Sequence, residues 1–336
     1  MELNTLWFIL VAVLFTGFFV LEGFDFGVGI LSLLLGKNEV ERRTILRTIG
    51  PHWDGNEVWL LTAGGAIFAA FPRWYAVMFS ALYLPLFLLL VALILRGLAI
   101  EYRNKFHTET WRKRWDIAIF IGSLLAAILV GVAITDLLHG IPLDAKGVFT
   151  GNFLDLVHPF PVLAGVASLA VFTWIGLLFL RLKLQGELLT RTEPMASKLR
   201  WIVLVVFLAL GAVGFVVDPL LLASPIPVKM AAVTAAATLL ASVLHFKKQP
   251  GMAFIWAIVA IAATSITAFG SLFPNTMVSS LQETFNLTVS NASSTPYTLK
   301  IMTIVAAIFV PIVLVYQGFT FWIFRKRISM SEQGGY

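Results

Sequence analysis

Nine apolar runs, separated by short polar connections, succeed one another along the chain: about 5–35, 56–71, 75–97, 115–138, 158–182, 199–218, 226–246, 252–273 and 299–324. A helix crosses the hydrocarbon core of a bilayer with about 20 apolar residues. The pattern therefore predicts an all-α integral membrane protein with nine transmembrane helices. The second run is short and ends at Pro72, and "FPRWYA" sets a proline and an arginine between it and the third, so a tight turn is expected there. The start, "MELNTLWFILVAVLF", lacks a basic leader and runs on past a signal-peptide core, which predicts a retained first span. The longest polar connection, 274–298, carries two Asn-x-Ser/Thr sequons and reads as an ordinary polar loop.

Charge gives this pattern a direction. Of the 24 Lys and Arg residues, 20 fall at alternate ends of the runs, and only Arg73, Lys146, Lys229 and Lys300 lie at the others. Basic residues gather on the cytoplasmic side, so the N-terminus is expected outside and the C-terminus in the cytoplasm. The net charge of +6 is then a topology signal, and no nucleic-acid partner is needed to explain it. Charged residues make up 12% of the chain, against about 25% in soluble domains. With no cysteine, disulfides, thiolate metal sites and thiol catalysis are excluded.

Few residues remain that can carry chemistry. The five histidines, His52, His107, His139, His158 and His245, all fall at span ends or in connections. A haem in a helix bundle takes an axial ligand projecting into the core, so this chain is expected to bind none by itself. Met78, Met230 and Met302 stand singly on apolar faces and read as packing. "TAGGAIFAA" lacks the lysine of a phosphate loop and suits close helix contact. So does the stripe of Trp59, Ala63, Ala66 and Ala70.

The first span is different. "VLEGFDFGVGI" puts Glu22 and Asp25 on one stripe with Phe18, Gly29 and Ser32, and Gly23 and Gly27 nearly opposite. An ionised acid at mid-span costs about 2.5–3.5 kcal/mol even on lenient scales. At 1.5 Å per residue, Asp25 lies roughly 15 Å from the cytoplasmic end and Glu22 roughly 5 Å deeper. Two readings stand: an ion or proton path, or acids paired to a structural base such as Arg96.

In "GPHWDGNEVWLLTAGG", Asp54 and Glu57 have the spacing of a capping box and also stand at the mouth beside the buried acids. Arg96 in "LRGLAIEYRNKF" reads either as their counter-charge or as a snorkelling arginine. Asp136, Asp155 and Asp218 are expected to be solvated at outer helix ends.

Together these clusters resemble subunit II of the cytochrome bd-type quinol oxidases of bacteria and archaea. The matching stretches are "GFDFGVGIL" (23–31), "GPHWDGNEVWLLTAGGAIFAAFP" (50–72), "EYR" (101–103), "FIGSLL" (120–125) and "YTLKIMTIVAAIFVPIVLVYQ" (297–317). The resemblance implies two four-helix bundles, 1–138 and 158–273, with a peripheral ninth helix at 299–324. It implies a partner subunit I bearing the quinol site, haem b and haem d, with room for small accessory single-span subunits and for a structural quinone in this chain. It further implies a cytoplasmic proton route through Asp25 and Asp54, with Glu22, Glu57 and Arg96 as companions, and an apolar oxygen path near Trp59. Glu22 stands where some relatives hold Asp. On this reading the chain is the non-haem subunit of an electrogenic quinol oxidase in the cytoplasmic membrane, inactive when isolated. The rival readings are a proton-coupled secondary transporter and a purely structural assembly subunit.

Overall fold

Apolar runs of this length leave the backbone one way to satisfy its N–H and C=O groups in lipid, the helix. The computed structural model describes residues 2–217, 220–223 and 225–329. It contains α1 (Leu3–Leu35), α2 (Glu39–Arg47), α3 (Trp53–Ala70), α4 (Pro72–Ala81), α5 (Tyr83–Tyr102), α6 (Glu109–His139), α7 (Pro159–Lys183), α8 (Gly186–Val217), α9 (Leu220–Ala223), α10 (Pro225–Phe246), α11 (Pro250–Leu272) and α12 (Pro296–Ile323). Among the described residues, eight helices are long and apolar enough to cross a membrane: α1, α5, α6, α7, α8, α10, α11 and α12. The remaining expected span, 56–71, is α3, which is shorter and opens on the polar sequence Asp54-Gly55-Asn56-Glu57.

The run expected as one span at 75–97 is divided. Its first part belongs to α4 and the rest to α5, with Leu82 between them at φ −92° and ψ 23°. Pro85 has no N–H to return to the carbonyl of Ala81, and its ring crowds that carbonyl. Conversely, α8 starts well before the expected residue 199. Its first turns are polar, so hydropathy does not mark them.

The first helix is the hub. It packs against α2, α3, α6, α7, α11 and α12; α5 lies on α6, α6 on α7, α7 on α8, and α10 on α11 and α8. Small residues permit the closest contacts. A Cβ at Gly27 would lie 2.0 Å from the carbonyl oxygen of Phe172 and 2.9 Å from the Cα of Gly176, so α1 and α7 meet backbone to backbone. The last helix, α12, is the opposite case: Leu299 is its one buried residue.

At one end of the bundle two short antiparallel strands, β1 (Asn275–Met277) and β2 (Leu287–Thr288), order the 274–298 connection. The sequon asparagines are used internally. Asn286 Oδ1 accepts from the Ser279 N–H at 2.7 Å, and Asn291 Oδ1 from the Thr288 N–H at 2.9 Å. Ile141 bridges Ser279, drawing this connection towards the end of α6. The solvation expected for Asp136 is therefore wrong: it is 2% exposed. Asp155 closes a short capped turn, and Asp218 lies outside the described residues.

Candidate functional site

The acid stripe of α1 is buried throughout: Phe18, Glu22, Asp25, Gly29 and Ser32. Its lower part is a packing surface, because a Cβ at Gly29 would collide with Ser123 Oγ on α6. The upper part is polar. Arg96, from α5, forms an ion pair with Glu22, and both side chains are fully buried. The guanidinium also lies 5.1 Å from the Phe26 ring centroid and 3.8 Å from Glu57 Oε2 on α3. Gly122 seats this arginine: a Cβ there would stand 2.9 Å from that of Arg96 and 2.7 Å from the Ala92 carbonyl oxygen. Arg96 is thus a buried counter-charge, and the snorkelling reading fails.

Asp25 is held from another side. Asn56 Nδ2 donates to Asp25 Oδ2 at 2.7 Å; Gln317 Nε2, on α12, donates to Asn56 Oδ1 at 3.0 Å; and Trp59 Nε1 donates to Gln317 Oε1 at 2.9 Å. The Trp59 ring fits only because position 17 is glycine, where a Cβ would fall 2.2 Å from it. Several buried polar atoms of the cluster have no protein partner: Glu22 Oε2, Asp25 Oδ1, Arg96 Nε and Nη2, and Ser123 Oγ. Two carboxylates, Glu22 and Glu57, here share one guanidinium, and Asp25 stands one turn along α1 from Glu22.

Asp54 is exposed, one turn before the half-buried Glu57. The capping box expected for this pair does not form. The cap position of α3 is His52, without a side-chain cap bond. The turn after α2 already supplies the acceptors, with Trp53 N–H bonded to the Ile49 carbonyl at 3.0 Å. Asp54 stands in the first turn of α3, where negative charge is favoured by the helix dipole.

The comparisons with known proteins bear on this arrangement. Residues 3–324 match the family described as cytochrome bd terminal oxidase subunit II. The chain belongs to that family. It is 44% identical over 332 residues to the cytochrome bd ubiquinol oxidase subunit 2 of Bacillus subtilis, covering 98% of both chains. It is 36% identical over 367 residues to the cytochrome bd-I ubiquinol oxidase subunit 2 of Escherichia coli K12, covering 98% of this chain and 96% of that one. In fold it is similar to a chain in the structure of bd oxidase from Geobacillus thermodenitrificans, with a TM-score of 0.78, 17% identity, and 97% and 100% coverage.

In this bd oxidase subunit II chain, then, the structure brings Glu22, Asp25, Glu57 and Arg96 together, joins Trp59 to them through amides, and leaves Asp54 at the edge. Sequence reasoning missed Asn56, Gln317 and Gly17. The signal for Gln317 was present, an amide inside the apolar stretch "VLVYQGF". The histidines stand apart from the acids. His52 stacks on Phe321 with ring centroids 4.2 Å apart; burial, with Lys183 nearby adding to it, pushes its imidazole down to about 4, so it is neutral at pH 7. His139 and His158 pair at 5.0 Å, and His245 sits 2.5 Å from Arg181. Among the described residues no group of three or more metal-ligating side chains is placed to hold a metal ion. Further ion pairs, none anticipated, tie helix ends together: Arg103 with Asp116 and Glu39, and Arg191 with Glu41.

Proposed function

We propose that this chain is the non-haem subunit II of a cytochrome bd-type quinol:oxygen oxidoreductase, seated beside a subunit I that carries haem b, haem d and the quinol site. It stabilises that partner and delivers cytoplasmic protons to the oxygen being reduced. The observation that carries the proton role is the buried cluster in which Glu22 and Glu57 share Arg96 and Asp25, bonded to Asn56, lies one turn along α1 from Glu22. More acid than base gives the cluster protons to exchange. Glu22 is paired to a charged guanidinium, whereas Asp25 is held by a neutral amide and keeps Oδ1 without a protein hydrogen-bond partner. Asp25 is therefore the group that takes and releases the proton, with exposed Asp54 collecting protons at the mouth and Glu57 standing between. Water bonds readily to buried polar atoms that lack partners, and the unpartnered atoms of Glu22, Asp25, Arg96 and Ser123 give it a line to follow.

The distribution of basic residues supports an external N-terminus and a cytoplasmic C-terminus. We count nine spans, with α3 included and α4 and α5 together forming a broken one. Grouping α1, α3, α4–α5 and α6 as one bundle and α7, α8, α10 and α11 as another has the family resemblance as its support, with α1 and α6 packed on α7 where the two meet. An apolar cavity of about 320 Å³ between α6, α7, α8, α10 and α11, with Phe172, Phe207 and Ile261 in its wall, suits the tail of a structural quinone. The oxygen path at Trp59 has the family resemblance as its support.

The test is oxygen consumption per haem d in purified complexes of equal subunit content. Asp25→Asn and Asp54→Asn are expected to lower turnover by about tenfold or more while assembly persists, and Glu22→Asp to be tolerated. The Glu22–Arg96 ion pair equally suits a purely structural subunit. Normal turnover in Asp25→Asn with haems intact would establish that reading and end the proton role.

A further inference from the structure

The hydrogen bonds that reach Asp25 from α12 have a direction, and Trp59 fixes it at the far end. An indole N–H can only donate. Trp59 Nε1, 2.9 Å from Gln317, therefore requires the amide oxygen of Gln317 to face it. The Gln317 amino group is then turned to Asn56, at 3.0 Å, so Asn56 must present its oxygen there. That in turn leaves the Asn56 amino group facing Asp25 Oδ2 at 2.7 Å, with a longer contact of 3.4 Å to the Leu21 carbonyl that agrees with the same orientation. Reversing either amide alone would set two donors or two acceptors face to face. Reversing both would set the Gln317 amino group against the indole N–H. The string has one consistent arrangement, and it ends on Oδ2 as an acceptor.

We propose that Gln317 and Asn56 are positioning residues whose string, polarised by Trp59, reserves Oδ2 of Asp25 as an acceptor and leaves Oδ1 as the oxygen that takes the proton. No protein group bonds to Oδ1, so nothing competes for it. The string itself moves no net proton, since a primary amide that passed one on would be left as an imidic acid. Protons therefore reach Asp25 at Oδ1, and α12 acts on the site only by orienting it. This rests on the reading of Asp25 as a proton-exchanging acid.

The test is infrared difference spectroscopy of the purified oxidase complex during a pH jump. The Asp25 carboxyl C=O band is identified by its loss in Asp25→Asn. In the unaltered complex that band is expected to be single, with the C=O of Oδ2 bonded to the Asn56 amino group. Gln317→Leu leaves only the long 3.4 Å contact of the Asn56 amino group with the Leu21 carbonyl to oppose turning over, and the band is expected to split or shift. Trp59→Phe keeps the ring and removes the donor, and it should split the band in the same way if the leucine variant does not assemble. Gln317→Glu can accept from the indole through one oxygen and, when protonated, donate through the other, so it should restore a single band. A band unchanged in both Gln317→Leu and Trp59→Phe overturns the proposal and spares the proton role of Asp25. Absence of any band lost in Asp25→Asn overturns the proton role, and the proposal with it.

Discussion

A single methyl group is a decisive quantity at several positions of this chain. Gly27 on α1 faces the backbone of Phe172 and Gly176 on α7, so an added Cβ has no flexible side chain to push aside. Overpacking of this kind costs about 1–3 kcal/mol or more. Gly27→Ala should therefore lower the thermal midpoint of the detergent-solubilised chain, whereas Gly64→Ala, which meets nothing within 4 Å, should not. Equal midpoints for the two would show that α1 and α7 can separate at no cost. At this scale the sequence was informative about which residues matter and silent about what they touch. The stripe of Glu22 and Asp25 and the opposite pair of glycines both follow from helical period. The partners Asn56 and Gln317 lie 31 residues from Asp25 and 261 residues from Asn56, respectively, and no periodicity reports a contact across such distances.

Elements here are fastened by different means. Apolar and glycine contacts hold α1 to α7, but α12 buries little and is tied by polar bonds: Gln317 to Asn56, Trp7 Nε1 to Thr303 Oγ1 at 3.0 Å, and Lys183 to the Phe324 carbonyl. The short amphipathic α2 is likewise fastened by charge. Glu41 receives Arg191 Nη2 at 2.5 Å and the Lys37 N–H at 2.8 Å. The Arg191 bond, chief among these effects, holds the Glu41 carboxyl below its usual range. An acid depressed in the folded state contributes stability above its unfolded value, near 4.3, and that stability disappears as pH falls through the folded value. Hydrogen-exchange protection across residues 37–47, taken relative to the intrinsic rate at each pH, should therefore fall once pH drops below about 4. Glu41→Gln should lower it already at pH 7, costing about 2 kcal/mol locally, with no further acid response from this residue. Protection that ignores both changes would mean that α2 is held by its apolar face alone. Nothing in the hydropathy profile announced α2's anchor, nor the break at Leu82, because both depend on neighbours and on one missing N–H.

For the whole molecule, the apolar pattern was the most legible feature, since lipid leaves the chain so little freedom. The bounds of α1, α7, α10, α11 and α12 lie within a few residues of the expected runs. The departures, at α4–α5 and the starts of α6 and α8, occur where polar residues enter helices or a proline interrupts one. Sidedness is open to direct test. A reporter fused after Lys326 should behave as cytoplasmic, and one placed within 275–298 as external. An external C-terminus would remove one crossing from the count and place α3 under suspicion first.

The ion pair between Glu22 and Arg96 spans 74 positions of sequence. A ribosome adding about 5–20 residues per second needs roughly 4–15 s to cover that interval. Glu22 is thus made well before Arg96, the cation that pairs with it, and α1 is made before every helix that later surrounds it. During that interval the acid must enter the bilayer carrying its own proton or wait in the insertion machinery. The finished bundle conceals a dependence on the timing of synthesis: the fifth helix completes the insertion of the first.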